Sequence, residues 1–322
     1  MSARFSGVSC VAGDSVNSPD LPEDIVVFER GWLSSNSILL KDEGGRHALV
    51  DSGYATHASQ TLALVRDSLQ GAPLSTLANT HLHSDHCGGN RTLQVAYPEL
   101  KTLVPTGCAA DVGHWDEDRL SYRATGQLCQ RFGFDDLLVP GQPVLLGYRE
   151  WEVHAAPGHD PQSVVLFEPE NRVLISADAL WQHGFGVVFP ELEGVDAFSD
   201  VDRTLDLIEQ LHPRIVIPGH GPVFVDVEDA LQRARDRLIA FIDNPARHSM
   251  YAAKVLLKFK LLEVQRIERS ALLDWAMSTP YFELVHTRHA GTQDQKRWVL
   301  ELMTQLARTG AARVEGDWIS NE

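Results

Sequence analysis

The chain has 322 residues, of which 43% are hydrophobic and 22% charged, the balance of a folded globular protein and not of a disordered one. Acidic residues number 44 against 28 basic ones, and the formal charge of −16 repels nucleic-acid phosphates and anionic lipid. Cys10, Cys87, Cys108 and Cys129 form no CxxC pair, the opening MSARFSGVSC carries no apolar signal-peptide core, and no apolar run reaches the ~18 residues of a membrane span. Reduced thiols, a cytoplasmic location and no membrane partner are therefore expected.

The first two-thirds reads as short strands with helices between them. Runs of β type cover Ile25–Phe28, Ser37–Leu40 and 47–50. A helical pattern over Ala58–Leu69 sets Leu62, Val65 and Leu69 on one side. Further strands are predicted at 74–79, 100–104, 151–155, 164–167, 173–175 and 215–217, with a helix at 201–211 before the last. Such alternation implies two mixed sheets with helices outside them. From about Asp226 the pattern turns helical, with helices predicted at 230–242, 248–262, 269–276 and 295–307, breaks at Pro245 and Pro280, and a hairpin over 311–319. The predicted division is a first domain at 1–225 and a small, mostly helical domain at 226–322. Residues 228–322 hold 14 basic and 13 acidic residues, which leaves 14 basic against 31 acidic in the remainder, so the acidity belongs to the first domain.

The most informative stretch is His81-Leu82-His83-Ser84-Asp85-His86. In extended chain, residues two apart point the same way, so His81 and His83 at a strand's end can share one metal ion. Asp85 and His86 follow where Gly88 and Gly89 let the chain turn, in a strand-to-loop junction, and need not face that same ion. Three more candidate ligands follow predicted strands: His159 in Ala156-Pro157-Gly158-His159, Asp178 in Ile175-Ser176-Ala177-Asp178, and His220 in Pro218-Gly219-His220. Strand ends in α/β architectures bring distant residues to one edge. Five histidines and two aspartates so placed read as a two-metal site, and imidazole with carboxylate suits Zn²⁺ first, with Fe or Mn also accepted.

With these residues in family order, the chain resembles the metallo-β-lactamase superfamily, in its glyoxalase-II-like, Asp-bridged binuclear branch, over about residues 25–225. The resemblance implies an α+β fold, an αββα sandwich with two divalent metal ions at one edge between the sheets. It implies that His81, His83 and His159 hold one metal, that Asp85, His86 and His220 hold the other, and that Asp178 bridges them. Asp51, in Leu49-Val50-Asp51-Ser52-Gly53, would orient ligands or the bridging water from behind. Two departures stand out: Ala177 precedes Asp178 where glycine is usual, and Asp160 follows the Pro-Gly-His where Thr or Ser is common. The C-terminal part resembles, more loosely, the winged-helix-like appendage of some hydrolases of this superfamily. For it, substrate gating or homodimer contact fits the near-neutral charge better than DNA binding.

The chemistry such a site implies is hydrolysis by a metal-bridging hydroxide, with Asp85 able to take up a proton as well as to ligate. A small-molecule thioester, ester or lactone is the leading substrate class. A phosphodiesterase or ribonuclease is the second reading, disfavoured by the acidic domain, and a single-iron oxygenase of the persulfide type, needing only His81, His159 and Asp178, is the third. Trp181, Phe185 and Phe189 near the metal edge are expected either to shape an apolar acyl pocket or to pack in the core. His183, five residues after Asp178, is expected at the pocket, and Cys87 reads as packing beside Gly88.

Overall fold

The computed structural model describes residues 20–289 and 291–322; Cys10 and the opening segment lie outside them. Six strands form the first sheet in chain order: β1 (Ile25–Phe28), β2 (Ser37–Leu40), β3 (Ala48–Val50), β4 (Thr76–Ala78), β5 (Lys101–Pro105) and β6 (Asp136–Leu138). The second has β7 (Pro143–Leu146), β8 (Arg149–Ala155), β9 (Val164–Glu168), β10 (Val173–Ala177) and β11 (Ile215–Pro218), in the order β11-β10-β9-β8-β7.

A period of two in the strands separates an inner core from two outer ones. Ile38, Leu40, Ala48 and Val50 of the first sheet meet Val173, Ile175, Ile215 and Ile217 of the second. Their neighbours Leu39 and Leu49 face outward, against Val65 and Leu69 of α1 (Ala58–Leu69). Leu174 and Val216 face outward from the second sheet. Because both faces are covered, these strands are apolar throughout, and that made them legible as strands.

The one-turn α2 (Ser84–Cys87) leads into α3 (Asn90–Ala96), and α4 (Ala109–His114) and α5 (Tyr122–Thr125) fill the span before β6. The one-turn α6 (Phe189–Glu193) precedes α7 (Phe198–Leu211), and α8 (Val227–Asp243) packs with α7 on the outer face of the second sheet. A separate core joins α9 (Pro245–Val264), α10 (Arg269–Ser278), α11 (Pro280–His289) and α12 (Gln295–Arg308). A three-stranded sheet closes it: β12 (Arg266–Glu268), β13 (Ala312–Glu315) and β14 (Trp318–Asn321), in the order β12-β14-β13.

Several elements differ from expectation. β6 and β7 carry no strand signal in the sequence because exposed positions interrupt their apolar pattern, as at Asp136, Pro143 and Leu145. Pro280 does not leave a gap after α10; it is the first residue of α11, a place where its missing N–H costs nothing. Pro245 likewise opens α9. Asp85 and His86 lie on α2 and not in a loop. Gly88 and Gly89 have φ of −62° and −85°, so no left-handed turn requires them. They are needed for close approach: a Cβ on Gly88 would overlap Ala55 N and stand 2.6 Å from Ser84 O.

Candidate metal centre

Strand direction gathers the site. β3 and β4 are parallel, so their carboxyl ends deliver Asp51 and the segment carrying His81 and His83 to one edge. In the second sheet β8 and β10 are each antiparallel to β9, and β11 is parallel to β10, so β8, β10 and β11 run the same way. Their carboxyl ends lead into His159, Asp178 and His220 at that edge.

The seven predicted residues converge in three overlapping groups: His81, His83 and His159; His81, His86 and Asp178; and Asp85, His86 and His220, with the offered atoms of each group within 4.8 Å of one another. Asp178 lies between them, Oδ1 at 3.4 Å from His86 Nε2 and Oδ2 at 3.4 Å from His159 Nε2 and 3.9 Å from His220 Nε2. The Nε2 of His220 is 3.1 Å from Asp85 Oδ2.

The outer ring nitrogens fix which atom each histidine turns inward. His159 Nδ1 donates to the Val187 carbonyl at 2.6 Å, and His220 Nδ1 to the Gly31 carbonyl at 3.2 Å. His86 Nδ1 donates to Asp51 Oδ2 at 2.7 Å. Thr80 gives its hydroxyl to Asp51 Oδ2 at 2.8 Å and its oxygen lies 3.2 Å from His81 Nδ1. Asp51 thus orients two imidazoles, one directly and one through Thr80, and it sits behind them, away from the cleft. His83 is reversed: its Nδ1 points inward and its Nε2 lies 3.7 Å from Asp160 Oδ2. Asp160 also accepts from Gln162 N, which explains a carboxylate after the Pro-Gly-His. Ala177 adopts φ of 46° in the left-handed region, the reason glycine suits that position.

These residues fit divalent cations. His86 Nε2 is buried without a hydrogen-bond partner. His83 Nδ1 lies 3.1 Å from His81 Nε2 and 2.7 Å from His159 Nε2, so three inward nitrogens crowd one point that a single proton cannot serve. Burial pushes His83 down to about 4, and burial with the neighbouring His83 does the same to His159. Burial raises the Asp178 carboxyl, but the charges of His220 and His86 outweigh it and hold that carboxyl well below its ordinary range. Burial opposes charge on His86, yet Asp51 and Asp178 on either side hold its pKa well above the usual value, so this point favours positive charge. Neutral imidazoles beside ionised carboxylates are the donor set that Zn²⁺ and similar ions take.

A cleft of about 80 Å³ opens onto these residues, walled by Trp32, Trp181, Phe189 and by Tyr251, Val255 and Phe259 of α9. Trp181 also donates its indole N–H to Asp178 Oδ1 at 3.2 Å. Two expected pocket residues lie elsewhere. Phe185 is buried in the core beside Phe241, and the exposed His183 points away, its carbonyl facing Arg237. The chain reverses between Trp181 and Gly184, so residues beyond Asp178 do not follow a strand's alternation. Trp32 went unpredicted: its ring stacks on His220 at 5.4 Å between centroids. Neither Trp32 nor the α9 residues carried a sequence signal, because an isolated aromatic residue or a helix's apolar face gives no hint of facing a cleft 30 to 200 residues away.

The sequence and fold have known counterparts. Over 221 residues the chain is 30% identical to a hydroxyacylglutathione hydrolase of Synechococcus sp. (strain JA-3-3Ab), covering 68% of this chain and 74% of that protein. Over 206 residues it is 27% identical to the acyl-coenzyme A thioesterase MBLAC2 of Bos taurus, covering 60% and 73% of the two chains. The crystal structure of a metallo-beta-lactamase family protein from Thermus thermophilus superposes with a TM-score of 0.54 at 19% identity, over 92% of this chain and 98% of that one, a likeness of fold. The family model described as Metallo-beta-lactamase superfamily matches residues 30–220, the span that holds every strand of the two sheets except β1 and all seven converging side chains. With more than half its length matched and its strand ends delivering that histidine and aspartate set, the chain belongs to the metallo-β-lactamase superfamily of hydrolases.

Proposed function

We propose that the protein hydrolyses an acyl substrate, a thioester, ester or lactone, with two divalent cations, zinc first and iron or manganese as alternatives. His81, His83 and His159 would hold one, Asp85, His86 and His220 the other, and Asp178 would touch both. Bound there, such cations supply an acidified water and a Lewis acid for the substrate carbonyl. The chain's own contribution is orientation and proton handling. The carbonyls of Val187 and Gly31 and the carboxylate of Asp51 keep three imidazoles in one tautomer and one direction. Trp181 and Trp32 limit water at the second group, and Asp85, partly exposed to the cleft, can take a proton and return it to the leaving group.

The observation that carries this reading is Asp178, whose carboxylate lies 3.4 Å from His159 of one histidine group and 3.4 Å from His86 of the other. A single-iron centre would leave His86 Nε2 buried and unpartnered, which favours two ions. The acidic surface disfavours a polynucleotide substrate.

The test is to count metal per chain in the full chain as purified and after reconstitution with zinc, iron or manganese. The loaded protein is then assayed on acyl thioesters, lactones and single-stranded RNA. Two ions per chain with acyl hydrolysis are expected. One iron per chain, or RNA cleavage without acyl hydrolysis, would sink the proposal.

A further inference from the structure

The cleft over the metal edge does not end at its own walls. Trp32, Tyr251, Val255 and Phe259 also line an open trough of about 380 Å³ that continues along α9 past Leu262 to Leu306 and Thr309. Its surface is mainly side-chain carbon, and the Trp32 ring, 56% exposed, forms a flat wall beside His220. No carboxylate lines it, and its charged residues are Lys254 and Lys258. The Lys258 ammonium is committed elsewhere, donating to Ala311 O, Asn321 Oδ1 and Glu322 O at 2.6, 2.7 and 2.8 Å, so only its methylene stem serves the trough.

We propose that the trough along α9 holds a straight aliphatic acyl chain, with the substrate carbonyl at the metal edge. This rests on the acyl-hydrolase reading and adds the substrate class, acyl groups long enough to pass Phe259 and reach Leu262. A hydrocarbon chain needs no hydrogen-bond partners, and the trough offers few. The phosphates or carboxylates of a carrier thiol would need several cations, and with Lys258 engaged only Lys254 stands available.

The test uses 4-nitrophenyl esters from butanoyl to dodecanoyl with the metal-loaded full chain. Selectivity should climb roughly fourfold per methylene, the gain expected from burying each one, until the trough is filled. Leu262→Trp fills the trough beyond Phe259 and should lower the decanoyl-to-butanoyl ratio of kcat/KM roughly tenfold or more, from the loss of several buried methylenes. The exposed Thr309→Trp gives a second plug should the first fail to fold. Calorimetry with decanoate needs no turnover: decanoate should bind the loaded protein, with weaker binding in the plugged variants. A chain-length ratio unchanged by both plugs, equal slowing of short and long esters, or no decanoate binding would each overturn the trough assignment. Decanoate binding in protein that hydrolyses no ester keeps the trough and sinks the acyl-hydrolase reading instead.

Discussion

At the scale of single residues, the site is a balance between burial and charge. His83 and His159 are held at about 4, against an ordinary value of 6.5, because burial penalises their charged forms. His81 is lowered further by burial among the other imidazoles. Between pH 6.5 and 4 the unfolded chain takes up protons on these residues that the folded chain refuses. His86 and His220, whose values are raised, stay protonated in the folded chain and oppose this trend near pH 6.5, but below about pH 5.5 they are protonated in both states and add no slope. The metal-stripped protein should therefore lose stability as pH falls through that window, by ~1.4 kcal/mol per pH unit for each of His83 and His159. Urea midpoints between pH 7 and pH 4 check this, and a flat profile contradicts it. His81, His83, Asp85, His86, His159, Asp178 and His220 could all be named from the sequence, because their types and spacings are chemical and local. Thr80, whose hydroxyl links His81 to Asp51, and the carbonyls of Val187 and Gly31 could not, because a hydroxyl or a backbone oxygen carries no mark of what it faces.

At the scale of elements, glycines set how closely the site's segments approach one another. Gly219, just past β11, packs so close that a Cβ there would overlap Asp178 Oδ1 and lie 3.0 Å from His86 Cε1 and from the Ala177 carbonyl carbon. Gly219→Ala should push Asp178 aside and weaken metal binding by on the order of tenfold, comparable to losing a ligand's support. Metal titration monitored by calorimetry measures it, and unchanged affinity would remove Gly219 from this role. The same crowding explains why the elements were unevenly legible. The buried strands β2, β3, β9, β10 and β11 announce themselves by largely apolar runs. The one-turn α2 does not, because four residues are too few for a helical period.

At the scale of the whole molecule, the expected cut at 225/226 falls just before α8, whose Ala230, Leu231, Ala234, Leu238 and Phe241 share a core with Leu174 and Val216 of the second sheet. A chain ended at 225 would expose that face. Burying one large apolar side chain contributes ~1.5–3 kcal/mol against a whole-domain stability of ~5–15 kcal/mol, so the fragment should not fold as a monomer. Circular dichroism and size-exclusion chromatography of residues 20–225 test this; a compact, metal-binding fragment would contradict it. Among the described residues no helix is long and apolar enough to cross a membrane. The amino-acid sequence by itself determined the candidate ligand residues, most of the strands and the family, since these depend on residue type and on patterns a few residues long. Which aromatic residues wall the cleft, which side chains hold the imidazoles, and that α9 extends the cleft into an apolar trough were decided only by tertiary structure. Those contacts join residues as far apart as Trp32 and His220, or Gly31 and His220, and nothing in a local pattern encodes a packing partner so distant along the chain.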